Sequence, residues 1–213
     1  MIRTRSGRHG AVGSEALLLF GLVLDDGTTV ARADGIETVV LRDLVALVQR
    51  VPARRIDPST QAITDYRAVV EAAQRDRSIL PAPFGTVFRT REALVRWLEL
   101  HYVALREGVT FVQDRHAARL LLAAMPQTAT TAYEATVFES MKFLKRHAVA
   151  SVVLPDESDG RPRTTEAAFL IERDKWAAFA DAVRDEQERA EGITIEQSGP
   201  WPAYDFVRLQ FGS

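Results

Sequence analysis

Apolar positions fall along this chain in blocks whose period changes from one block to the next. Ala16 to Leu24 is an almost unbroken apolar run of strand length, closed by the turn residues Asp25-Asp26-Gly27, and it predicts a mostly buried strand. Ile36 to Val40 predicts a second strand. From Leu41 the spacing becomes Leu41, Leu44, Leu47, Val48, Val51, which fits one face of a helix that Pro52 would stop. Asp57-Pro58-Ser59-Thr60 reads as a loop, after which Thr64 is placed to cap a helix with Val69, Val70 and Ala73 turned inward. Leu80 to Phe88 then returns the chain to the sheet. Two strands, two helices and a returning strand predict a small α+β domain over residues 1–89, an α/β sandwich-like unit.

The second half repeats the alternation without repeating the sequence. Thr90 is a candidate N-cap for a helix carrying Leu94, Leu98, Tyr102 and Leu105 at three- and four-residue steps, and this helix is expected to join the two halves. Arg119 to Met125 predicts a strand stopped by Pro126. A helix from about Tyr133 to His147 follows, with Val137, Met141 and Leu144 on its apolar face. A weak strand near Ser151 to Leu154 and an exposed loop at Asp156 to Pro162 lead to a strand at Ala167 to Glu172. Asp174-Lys175 opens a helix burying Trp176, Phe179, Ala180 and Val183. Gly192 ends it, and Ile193 to Glu196 closes the sheet. Strand, helix, strand, strand, helix, strand is the element order of a ferredoxin-like domain, assigned to residues 90–213 together with the linking helix and a docked C-terminal tail.

Composition narrows the function classes. At 213 residues, 46% apolar and 26% charged, the chain has globular proportions, and its 27 basic and 29 acidic residues make no strong field toward nucleic acid or anionic lipid. Arg3, Arg5, Arg8 and His9 form a locally basic N-terminal tail. The absence of cysteine excludes disulfides, zinc-thiolate sites and cysteine nucleophiles, and is compatible with a reducing cytoplasm. No apolar run approaches the roughly 20 residues that span a bilayer, and no signal-peptide pattern follows the basic tail. A soluble, cytoplasmic protein is expected.

Catalytic signatures do not emerge. Gly7, Gly10 and Gly13 have the wrong spacing for a dinucleotide loop and precede any strand. No phosphate-binding loop, nucleophile elbow or zinc-protease pattern occurs. His9, His101, His116 and His147 are far apart, so each reads as a surface or helix-terminal residue rather than a metal ligand. Glu134, Glu139, Glu172 and Asp174 could supply a carboxylate pair only by chance proximity. The alternating charges from Asp181 to Glu191 read as a solvated helix face. Phe169 with Arg173 behind it is a weak signal for an RNA platform. The expectation is a binding protein with no catalytic residue, no cofactor and no metal.

Two stiff segments carry the specific signal. Leu80-Pro81-Ala82-Pro83-Phe84-Gly85-Thr86-Val87-Phe88 joins prolines that exclude a regular interior strand to a Gly85 bend and a β-branched, aromatic end. Gly199-Pro200-Trp201-Pro202-Ala203-Tyr204-Asp205-Phe206 holds Trp201 between two prolines in an extended bracket that neither a helix nor a central strand accepts. Such a segment loses little entropy on docking, and each well-buried ring stabilises by roughly 1.5 to 3 kcal/mol, so the tail is expected to staple the domains together.

Together with the strand entry Leu17-Leu18-Leu19-Phe20-Gly21-Leu22-Val23, these segments resemble the GvpL/GvpF family of gas vesicle proteins over nearly the whole chain. Phe20 stands where that family more often has Tyr, and Ala82-Pro83 where it often has a small or β-branched residue followed by Arg. The residues that carry the resemblance are Leu80, Pro81, Phe84, Gly85, Val87, Phe88, Gly199, Pro200, Trp201, Pro202, Tyr204 and Phe206. The resemblance implies an accessory or minor structural protein of gas vesicles. Its expected partners are the hydrophobic main shell protein, whose nucleation and assembly it would assist, and other gas vesicle accessory proteins; neither nucleic acid nor a membrane is among them. The alternative is a ferredoxin-like module that binds a small effector in an enclosed polar pocket between the domains.

Overall fold

The computed structural model describes residues 15–25, 27, 35–53, 56–155 and 163–206. The expected loop at Asp156 to Pro162 and the basic stretch holding Arg3, Arg5, Arg8 and His9 lie outside the described residues.

In the first lobe, β1 (Glu15–Leu24) is the central strand. It pairs antiparallel with β3 (Leu44–Pro52) on one side, and on the other with two short strands, β4 (Leu80–Pro81) and β5 (Val87–Phe88). β2 (Ile36–Leu41) completes the sheet in the order β2-β3-β1-β4. α1 (Thr60–Asp76) covers one face and α2 (Arg91–Val112) the other. A strand covered on both faces must be apolar at every position, which explains the unbroken run. Leu17 and Leu19 point to the α2 side and Leu18 and Phe20 to the α1 side. Beyond a register shift between Leu19 and Gly21 the parity inverts, so that Leu22 faces α2 and Val23 faces α1. Gly21 is required at this kink, because a Cβ there would lie 2.5 Å from the Leu80 carbonyl oxygen.

The expected helix from Leu41 to Val51 is instead the turn and second strand of a hairpin. Leu41 pairs with Leu44 across a two-residue turn in which Arg42 has φ 55°. Leu44, Ala46 and Val48 then face α2, while Val45 and Leu47 face α1. Five consecutive apolar residues satisfy a helical stripe and a doubly covered strand equally well, and the sheet's demand for a partner beside β1 decides the case. The cap of α1 is Ser59, whose Oγ accepts from the Ala62 N–H at 3.2 Å. Thr64 lies inside the helix and donates back to the Thr60 carbonyl at 2.9 Å. The first lobe up to Phe88 therefore holds five strands and one helix.

Thr90 does cap α2, accepting from the Ala93 N–H at 3.1 Å. The buried residues of α2, Leu94, Leu98, Leu105, Val109 and Val112, all belong to the core of the first lobe. Tyr102 and Arg106 reach the hairpin turn at Asp43, at 2.5 and 2.8 Å. These two hydrogen bonds hold the Asp43 carboxyl below the usual carboxylate range.

The second lobe runs β6 (Arg115–Ala124), α3 (Thr130–Leu144), β7 (Ala150–Val153), β8 (Thr164–Glu172), α4 (Trp176–Arg189) and β9 (Ile193–Trp201). Its antiparallel order β7-β8-β6-β9 is that of the ferredoxin-like fold. α3 and α4 pack Val137, Met141, Phe179 and Val183 against Leu120 and Phe169 on one face. Trp176 and Ala180, expected to be buried, are half-buried, and Ala182 and Glu186 take core positions. Glu186 corrects the reading of its charge run as a solvated face, being 1% exposed and held by Arg189 at 2.6 and 2.7 Å.

Leu170, on the opposite face of β8, belongs to the same core cluster as the buried residues of α2 in the first lobe. A polar seam continues this contact. The buried Gln74 of α1 donates to the Arg115 carbonyl at 2.8 Å and accepts from the Ile79 N–H at 3.1 Å. Arg173 donates to the Gln74 carbonyl at 3.2 Å. His116, 3.2 Å from the Gln74 amide, is half-buried in this seam and is neither a surface nor a helix-terminal residue; burial, with the Arg173 charge, lowers its pKa.

Candidate functional site

The first proline segment is a strand broken by a turn. Leu80 and Pro81 pair with Leu22 and Gly21, and the Ala82 N–H donates to the Phe20 carbonyl at 2.9 Å. Thr86 then donates its N–H to the Pro83 carbonyl at 3.2 Å across Phe84-Gly85, with Gly85 at φ 79°, where a side chain would be strained. Val87 and Phe88 resume pairing with Leu18 and Leu17. The interruption pushes Phe84 out of the sheet. Its ring meets the edge of Tyr66, 5.6 Å between centroids, and Tyr66 stacks on Phe20. Phe88 turns to the other face and packs on Trp97 at 5.5 Å.

Phe84 and Ile56 form a shared wall between two adjoining concavities of 670 and 620 Å³. The larger is floored by Leu18, Phe20 and Val51, bounded by Tyr66 and Val69 of α1, and rimmed by Asp57 and Asp65. The result is an apolar trough on the α1 face of the first lobe, reaching Ile36 at the start of β2. β2 is the outer strand of its sheet, with Val40 52% exposed.

The second proline segment ends β9 at the outer edge of its sheet, a place where a strand tolerates proline. Gly199-Pro200 is a cis peptide, and a Cβ on Gly199 would lie 2.8 Å from the Ala117 carbonyl oxygen and 2.9 Å from the Trp176 ring. Trp201 pairs with Ala117, donates to Ser198 Oγ at 3.2 Å and stays 36% exposed. Beyond it the chain crosses to the first lobe. Pro202 is buried, Ala203 sits in the α2-side core, Phe206 packs against that core, and Tyr204 packs against the α1-side core. Asp205 closes the crossing with a two-pronged ion pair to Arg119 of β6, at 2.8 and 2.9 Å.

The residues weighed for catalysis are dispersed. Glu139 and Glu172 sit in exposed ion pairs with Lys142 and Lys175, and Lys175 holds the Glu172 carboxyl below its ordinary range. Glu134 and Asp174 are exposed. Among the described residues no three His, Asp or Glu side chains are grouped so as to hold a metal, and no helix is long and apolar enough to cross a membrane.

The family model described as gas vesicle synthesis protein GvpL/GvpF matches this sequence over residues 16–136 and 116–208. The chain belongs to the GvpL/GvpF family. It is 24% identical to gas vesicle protein F2 of Halobacterium salinarum over 207 residues, covering 92% of this chain and 94% of the relative. It is 22% identical to gas vesicle protein F of Haloferax mediterranei over 190 residues, covering 86% and 87%. The crystal structure of GvpF from Anabaena sp. superposes with a TM-score of 0.77 at 18% identity, over 92% of this chain and 98% of that one. GvpF from Microcystis aeruginosa gives 0.72 at 14% identity, over 91% and 99%. At these identities the two structures establish the shared fold. Family membership makes this GvpL/GvpF chain a gas vesicle protein of the structural or accessory kind, associated with other gas vesicle proteins.

The two proline segments of this GvpL/GvpF member do not form one site. Phe84 fronts the trough, Phe88 lies behind the sheet, and Trp201 sits at the edge of the second lobe. The sequence reading passed over Tyr66, Ile56 and the Arg119–Asp205 pair. Tyr66 was within reach, since it precedes Val70 and Ala73 by four and seven residues on the inward face of α1. Arg119, a lone charge opening an apolar strand run, was the other available signal.

Proposed function

We propose that this chain is an assembly factor that binds the hydrophobic main shell protein of the gas vesicle in the cytoplasm and assists nucleation and growth of the shell. The observation that carries the reading is the open apolar trough fronted by Phe84, beside β2, the outer strand of its sheet among the described residues. A shell subunit awaiting incorporation exposes apolar faces and strand edges that otherwise aggregate. A trough of this size accepts an apolar helix or strand from such a subunit, and the β2 edge offers backbone pairing alongside. The two-lobe division at residues 1–89 and 90–213 belongs to this proposal, with α2 assigned to the second unit by chain order although it packs on the first. The role of the tail residues as a staple between the lobes belongs to it as well. An effector-binding module would need an enclosed polar pocket between the lobes, whereas the trough lies on the α1 face of the first lobe.

The test is the solubility of purified main shell protein with and without an equimolar amount of this chain. The wild type is expected to keep the shell protein in the supernatant after centrifugation. Phe84→Asp, on a half-buried side chain, is expected to abolish this while the variant keeps its circular dichroism spectrum. Equal sedimentation of the shell protein with and without the wild-type chain would end the proposal.

A further inference from the structure

The outward face of α2 is patterned, and among the described residues its apolar side chains stay exposed. Leu100 and Val103 are 80% and 67% exposed, among the most exposed large apolar side chains described. Arg96 lies four residues before Leu100 and Glu107 four after Val103, so that Arg96, Leu100, Val103 and Glu107 recur at steps of four, three and four along one stripe. Among the described residues neither Arg96 nor Glu107 has an ion pair or hydrogen bond within bonding distance, and the Arg96 charge acts only on Glu92 one turn before it. The inward residues Leu94, Leu98, Leu105 and Val109 lie on the other side of the helix, so the stripe contributes nothing to the core.

The stripe has the spacing of the a and d positions of a short coiled-coil seam, apolar at the centre and oppositely charged at its two ends. Two such helices laid antiparallel about a twofold axis crossing between His101 and Tyr102 bring Leu100 against Val103 of the second copy and Arg96 against Glu107 of the second copy. Each contact occurs twice, as an isologous interface demands. Parallel pairing would place Arg96 on Arg96 and Glu107 on Glu107, which like-charge repulsion disfavours. We propose that the outward face of α2 is a self-complementary docking surface and that its occupant is a second copy of this chain, bound antiparallel. The contact spans about 16 Å of helix and belongs to the small, reversible class of interface, forming where the protein is locally concentrated. This inference does not rest on the shell-protein reading, because the trough lies on the opposite side of the first sheet.

The experiment is sedimentation equilibrium of the full-length purified protein between ~10 μM and ~1 mM, the range in which so small an interface associates. The wild type is expected to approach dimer as concentration rises. Leu100→Asp is expected to remain monomeric with an unchanged thermal melt, since the side chain is exposed. Arg96→Glu and Glu107→Arg should each weaken association roughly tenfold or more, and the double swap should restore it, because the charge pairs are rebuilt with reversed sign. A wild type that stays monomeric throughout, a dimer insensitive to Leu100→Asp, or a double swap that fails to restore pairing overturns the proposal. A monomer whose Leu100→Asp variant loses its hold on shell protein would also overturn it, assigning this face to the shell subunit.

Discussion

Tyr204→Phe is expected to stabilise the protein, although it removes a polar group from one of its most specific sequence patterns. The Tyr204 hydroxyl is buried and has no hydrogen-bond partner among the described residues, while its ring packs against the α1-side core. Burial, with the Glu71 carboxylate nearby, raises the pKa of this phenol well above its ordinary value, so the group is neutral at any physiological pH. An unpaired hydroxyl taken out of water costs about 1 to 3 kcal/mol on scales drawn from protein variants, and a half-buried ring places this case at the low end. Phenylalanine keeps the ring contacts and removes that penalty, for an expected gain of about 1 kcal/mol. Tyr66 supplies an internal control of opposite sign. Its hydroxyl donates to the Ala82 carbonyl, and Tyr66→Phe leaves that buried oxygen without its donor, for a loss of about 1 to 2 kcal/mol. Urea unfolding followed by both circular dichroism and tryptophan fluorescence measures the two shifts under identical conditions, and equal m values confirm that only stability has moved. The reasoning fails if Tyr204→Phe lowers the midpoint as far as Tyr66→Phe does.

Two further outcomes follow from the core. Gly21→Ala should lower stability by about 2 kcal/mol or more, because its Cβ would meet the Leu80 carbonyl at 2.5 Å and the Ile79 side chain at 2.8 Å; a midpoint in urea within error of the wild type would show that β4 yields without cost. Burial of Glu186 opposes its ionisation, yet the two hydrogen bonds from Arg189 and its charge hold the pKa below the ordinary 4.5. The stability it contributes, of order 1 to 2 kcal/mol, is therefore complete above that value and lost as pH falls through the lower, folded pKa. Glu186→Gln should be less stable at pH 7 and converge on the wild type in acid, and parallel stability curves down to pH 3 would remove Glu186 from the acid limb.

How much of this was legible in the sequence depended on how local the deciding contact is. β1 and β8 were readable because a strand covered on both faces leaves an apolar run with no other explanation, and the second lobe followed from the order of its elements. The hairpin of β2 and β3 was misread because its turn is Arg42-Asp43, with no glycine or asparagine to announce a reversal, and because Leu44 to Val48 fits two periods. Glu186 was hidden among Asp185, Gln187 and Glu188, although its place seven residues after Phe179 and three after Val183 puts it on the buried face of α4. The stiffness of the tail was evident, but its landing place was not. Ala203 completes a core begun at Leu17, and Asp205 finds Arg119, 86 residues before it, contacts that no window of sequence contains. The trough was beyond reach for the same reason, since its walls come from β1, β3, α1 and the turn at Phe84.

The tail and the seam fix what each lobe presents. Trp201 is tied to the second sheet through Ala117, while Ala203, Tyr204 and Phe206 are held by both cores of the first lobe, and Arg119 grips Asp205 between them. With Leu170 and Ala203 part of the first-lobe core, turning the second lobe would draw apolar side chains out of that core, at a cost of roughly 1.5 to 3 kcal/mol for each fully exposed. The first lobe then shows two different faces: the trough on the α1 side and the patterned stripe of α2 on the other. A pair joined through α2 would carry two troughs directed away from each other, so self-association would double the sites offered to shell protein rather than hide them. A shell subunit leaving one trough would remain near the second at a raised effective concentration. Phe84→Asp and Leu100→Asp separate these contributions. The first is expected to abolish shell-protein binding and leave dimerisation intact; the second should leave each trough functional and remove only the gain from having two.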